Sequence, residues 1–101
     1  MNKAIEIANE LLAMAAVAME AARKFNLGQK FEAAAPFIDS GIHFLGRGRE
    51  ILEDVAAGGR EGAYDNLTPD EIRARFYAKG WDELERIARE QAAGGEEPPA
   101  F

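Results

Sequence analysis

His43 is the single histidine of this 101-residue chain, and Asp39 stands four residues before it. On a helix that spacing puts the two side chains on one face, a turn apart. A carboxylate beside an imidazole is the start of an acid–base pair, and Ser40, three residues from His43, is in range as a nucleophile. The set stops there, because acyl chemistry also needs an oxyanion donor and a pocket. No residue pattern supplies either. A polar helix face accounts for Asp39, Ser40 and His43 more economically, so no catalytic residue is assigned and the chain reads as a non-enzyme.

Metal and cofactor chemistry is weaker still. Cysteine is absent, which removes disulfides and thiolate ligands, and a structural zinc site would want several Cys or His ligands where the chain has one. Di-iron four-helix sites use Glu-x-x-His motifs, and the residue three before His43 is Ser40. The reading is therefore no metal and no cofactor. Gly46-Arg47-Gly48-Arg49 is a candidate anion site, since glycine bares backbone amides and arginine forks grip phosphate. It lacks the Gly-Lys-Ser/Thr ending of a phosphate loop, and Glu50, Glu53 and Asp54 stand ready to pair with Arg47 and Arg49. Thr68 to Gln91, with Gly80 between two helical stretches, has the outline of a helix-turn-helix. Its reading helix would begin Trp81-Asp82-Glu83, and those acids would face phosphates. Arg73, Arg75, Tyr77 and Trp81 make a better candidate for a protein-binding face, because interfaces enrich Trp, Tyr and Arg. The end, Pro98-Pro99-Ala100-Phe101, is a flexible tail or a peptide that docks its last phenylalanine in a partner's groove.

These residues must be positioned by helices. Nothing alternates with period two over a strand's length, and no internal repeat is visible. The spacing predicts an all-α fold, a small bundle of three to four helices over residues 1–91, with a flexible tail over 92–101. A first helix runs from about Lys3 to Phe25, with Asn2 as N-cap and Asn26-Leu27-Gly28 as its stop. From Leu11 to Met19 it is apolar all round, Ala13 and Val17 occupying the places where a polar stripe should pass. One neighbouring helix cannot cover that circumference. Either further helices of the same chain surround it, or a second copy does. Leu11, Leu12, Ala13, Met14, Val17 and Met19 are accordingly the candidate self-association residues.

A second helical region spans about Gln29 to Ala57. Phe31, Ala34, Ile38, Ile42, Leu45, Leu52 and Val55 recur at helical spacing, with Phe37, Phe44 and Ile51 beside them. Pro36 predicts a kink or a new start. Gly41 and Gly48 lie on the Phe37/Phe44/Ile51 stripe and suit close packing on the alanine-rich helix. A loop at Gly46-Arg47-Gly48 is the rival reading. Residues 57–62 read as a loop. Leu67-Thr68-Pro69-Asp70-Glu71-Ile72 starts a third helix, with Thr68 as cap, Pro69 at the first helical position and Glu71 completing a capping box. Ile72, Phe76 and Tyr77 point inward, and Arg73, Arg75 and Lys79 outward. Gly80 either ends that helix or sits within a continuous one to Gln91.

Twelve basic residues stand against eighteen acidic ones, a net charge of −6. That charge repels phosphate backbones and argues against nucleic acid. The longest uncharged apolar run, Leu11 to Met19, is under half of the roughly 20 residues a membrane span needs. With no basic, apolar and cleavage-site succession at the start, a cytoplasmic location is expected. The functional expectation is a non-catalytic helical interaction protein that forms a homo-oligomer through its first helix and occupies a surface on another protein, as an assembly factor or inhibitor. Size and composition suit an accessory protein of the kind carried by phages and mobile elements. The alternatives are a nucleotide or other anionic-ligand binder using Arg47 and Arg49, and a minor DNA-binding component.

Overall fold

The computed structural model describes residues 3–58 and 61–94. Four α-helices make up most of it: α1 (Lys3–Leu27), α2 (Phe31–Ala56), α3 (Pro69–Phe76) and α4 (Trp81–Gly94). A 3₁₀ turn at Glu61–Tyr64, not foreseen from sequence, precedes α3. No strand occurs among the described residues, as the helical periodicity requires. The Asn2 cap and the tail end Pro98–Phe101 lie outside the described residues. α4 is helical to Gly94, the last described residue, past the expected tail boundary at 92.

α1 and α2 form a long antiparallel hairpin, and alanines let them approach closely. Ala4, Ala8, Ala15, Ala18, Ala21 and Ala22 are all buried. Facing them, α2 buries Phe37, Gly41, Phe44, Gly48 and Ile51. A Cβ added at Gly48 would lie 3.4 Å from Leu12 and 3.6 Å from the Ala8 carbonyl oxygen. One added at Gly41 would come within van der Waals overlap of Met19. Both glycines are thus explained by the close α1 contact, and Gly46-Arg47-Gly48 is helix rather than loop. The helix also runs through Pro36 without a break. Proline deprives the Glu32 carbonyl of its partner, but both residues are exposed, so water can replace the lost bond.

The hairpin turn is a Schellman motif. Lys30 N–H donates to Phe25 O at 2.8 Å, and Gln29 N–H to Asn26 O at 2.9 Å. The left-handed residue is Gln29, φ 63°, where the sequence suggested Gly28 as the stop. α3 begins at the expected capping box: Glu71 N–H donates to Thr68 Oγ1 at 3.1 Å, and Thr68 N–H to the Glu71 carboxylate at 2.8 Å. It ends at Phe76, and Gly80, φ 78°, turns the chain into a separate α4. Phe44 sits at the meeting point, edge-on to Trp81 at 5.0 Å and to Tyr77 at 5.4 Å between centroids. The described body measures 48 × 24 × 22 Å, an elongated shape in which the short α3 and α4 cover one flank of a long hairpin.

Candidate functional site

The other flank is bare. Phe31, Ile38, Ile42, Leu45 and Leu52 are 63, 43, 60, 45 and 37% exposed. All five belong to α2. With Ala35, Arg49 and Ala56, also exposed, they follow an unbroken four–three alternation: 31, 35, 38, 42, 45, 49, 52, 56. That is a period of 3.5 residues, the repeat of a helix that packs lengthwise on another helix. At about 100° per residue this seam lies about 130° around α2 from the buried Phe37/Phe44/Ile51 seam. It spans about 37 Å along the axis. Contiguous apolar surface of this kind marks interaction sites on soluble proteins.

α1 contributes a margin to the same face. Leu12 and Met19, half-buried, flank the seam where they rest on Gly48 and Gly41. Between Leu12, Leu45, Leu52 and Ala56 lies a shallow apolar hollow of about 430 Å³, edged by Arg49 and Glu53. The Arg49 Nε–H donates to Glu53 at 2.8 Å, and both side chains stay mostly exposed.

The six association residues read from the first helix do not form one surface. Leu11 is fully buried within the chain, so it belongs to the bundle's centre. Met14 and Val17 pack on the core on the flank away from Leu12 and Met19. Val17 borders α4 at Ala88. Ala13 is exposed, and as a methyl group it costs little there. The apolar circumference of α1 is therefore covered mostly by α2 and α4 of the same chain. The apolar positions of α2, taken together in the sequence, divide between two faces. The four–three alternation was the available clue to the second.

Arg47 and Arg49 are separated by about 200° around α2 and share no cradle. Arg47 binds Glu50 at 2.6 Å and the Arg75 carbonyl oxygen at 3.1 Å, with its guanidinium 5.0 Å from the Phe76 ring centroid. It ties α2 to α3. His43 does the same, its Nε2–H donating to the Phe76 carbonyl oxygen at 2.9 Å. Phe76 O has no proton to give, so Nε2 carries one. Among the described residues no hydrogen bond joins His43 to Asp39 or Ser40.

Of the proposed partner face, Arg73 and Arg75 are exposed and Tyr77 is half-buried, but Trp81 is 1% exposed and is core. Arg73 lies over Tyr77 at 4.7 Å and pairs with Asp82; Arg75 lies over Phe76 at 5.1 Å. Burial, reinforced by the negative charge of Glu10, holds the Tyr77 hydroxyl above its usual pKa, while Arg73 opposes the shift. The Arg73 pair with Asp82 ties α3 to α4, while Phe44, packed edge-on against Tyr77 and Trp81, holds that corner to the hairpin. Among the described residues no cluster of His, Asp or Glu is placed to hold a metal ion, and no helix is long and apolar enough to cross a membrane. No family model, curated protein or solved structure matches this chain.

Proposed function

We propose that the protein is a non-catalytic helical interaction module that self-associates and acts by lending a surface, as an assembly factor or inhibitor does. The observation that supports this is the exposed seam of α2. Five large apolar side chains stand in water along one helix, while the opposite side of the hairpin carries all of α3 and α4. Burying such side chains is worth about 1.5–3 kcal/mol each when complete, and no other element of the described chain covers them. The surface offered is a helix-docking one, shifted from α1, where the sequence suggested it, to α2 with Leu12 and Met19 at its edge. The ion-paired Arg47 and Arg49 lend no support to an anion-binding role.

The test is the particle mass measured by light scattering over a wide concentration range. The parent should exceed the 11.0 kDa of one chain. A variant with Ile42→Glu and Leu45→Glu should remain a monomer with unchanged helix content, because both side chains are largely exposed in the single chain. A parent that stays monomeric throughout would refute the proposal.

A further inference from the structure

From the seam itself we infer that its occupant is the α2 seam of a second copy, laid antiparallel about a two-fold axis between Ile42 and Leu45. This inference rests on the self-association reading above and adds its partner, direction and register. In that register Ile42 meets the partner's Leu45, Ile38 meets the partner's Arg49, Ala35 meets the partner's Leu52, and Phe31 meets the partner's Ala56.

Three observations select this arrangement. The first is charge. A parallel, in-register pair would place Arg49 against the partner's Arg49 inside an apolar seam, and burying like charges together is strongly unfavourable. The antiparallel register separates them. Each Arg49 lies over Ile38 of the other copy, its aliphatic stem on the apolar surface and its guanidinium reaching outward toward Asp39 beside it.

The second is size. The small members of the seam, Ala35 and Ala56, fall opposite its large members, Leu52 and Phe31. A parallel pair would set alanine on alanine and phenylalanine on phenylalanine, leaving gaps in some layers and crowding in another. The third is shape. Phe31, at 63% the most exposed large apolar residue among the described residues, stands at one end of the seam. The hollow lined by Leu12, Leu52 and Ala56 lies at the other. An antiparallel two-fold carries each ring into the other copy's hollow, so both ends are filled by one operation, as an isologous interface requires. Gly46, beside the axis, has nothing within 4 Å of an added Cβ, which leaves the middle of the pair open to close backbone approach.

The experiment uses the absence of cysteine, since every introduced thiol is then alone in its chain. Phe31→Cys and Ala56→Cys variants of the full chain are oxidised singly and as an exchanged mixture. The disulfide-linked dimer should form only in the mixture, joining position 31 to position 56. A separate variant, Glu32→Cys, leaves all eight seam residues in place and carries a nitroxide label. Its two labels should lie about 35 Å apart by electron–electron double resonance in the antiparallel dimer, against about 15 Å for a parallel one, from the helical rise. Association accompanied by self-linked single variants or by the short distance would overturn the antiparallel register and leave the self-association reading standing. A parent that never associates would overturn both.

Discussion

At the scale of single residues, the local chemistry described in this chain secures its helices. Thr68 and Glu71 close both ends of a capping box, His43 and Arg47 hold the carbonyl end of α3, and three arginines lie over aromatic rings. α3 has only eight residues, so its first turn is a large part of its stability. Thr68→Ala should cost about 0.5–2 kcal/mol, read as a lower urea midpoint in the monomeric Ile42→Glu/Leu45→Glu background. Equal midpoints would mean that the hydroxyl contributes nothing to holding α3. The cap was legible because its residue types and spacing are local. The His43 and Arg47 contacts were not, since their acceptors are backbone carbonyls 33 and 28 residues away, and a carbonyl has no identity in a sequence.

At the scale of elements, three glycines in one helix separate two kinds of packing. Gly41 and Gly48 lie under α1, where an added Cβ meets Met19 or Leu12. Gly46 is exposed and meets nothing. Gly46→Ala in the same monomeric background should therefore stabilise the fold by about 0.5–1 kcal/mol, the ordinary helix preference of alanine. Gly41→Ala should gain less, since Met19 must swing aside. Thermal melting ranks the two, and a Gly46→Ala variant no more stable than Gly41→Ala would contradict the packing described. α1 and α2 were readable as helices because their apolar residues recur at helical spacing over seven turns. Gly41 and Gly48 marked the Phe37/Phe44/Ile51 stripe as the one that lies on α1, but whether a neighbour also covers the adjacent and equally apolar Ile38 and Leu45 was not readable. Only the chain that comes to lie on them decides. The same ambiguity made α1 look like the association surface, when α2 and α4 of its own chain cover most of it.

At the scale of the whole molecule, charge and apolar surface act against each other in self-association. Each chain carries a net charge of −6, so two copies approaching are repelled at long range. The proposed antiparallel register would add to this locally, because it sets Glu32 of one copy on the same flank as Glu53 of the partner subunit. In the proposed dimer the attraction comes from a seam that is apolar except for Arg49, whose guanidinium turns outward, and apolar burial does not weaken as simple salt rises. Screening shortens the reach of the repulsion from about 10 Å at 0.1 M to about 3 Å at 1 M. A favourable cross-chain pair in the proposed dimer, Arg49 with Asp39 of the partner subunit, would be exposed, and such pairs contribute about 0–1 kcal/mol, so its loss would be the smaller effect. Raising sodium chloride from 0.05 to 1 M should thus tighten the dimer, and sedimentation equilibrium would show the dissociation constant falling. A dissociation constant that rises with salt would mean that ion pairs hold the copies together, and the seam of Phe31, Ile38, Ile42, Leu45 and Leu52 would then not be what they share.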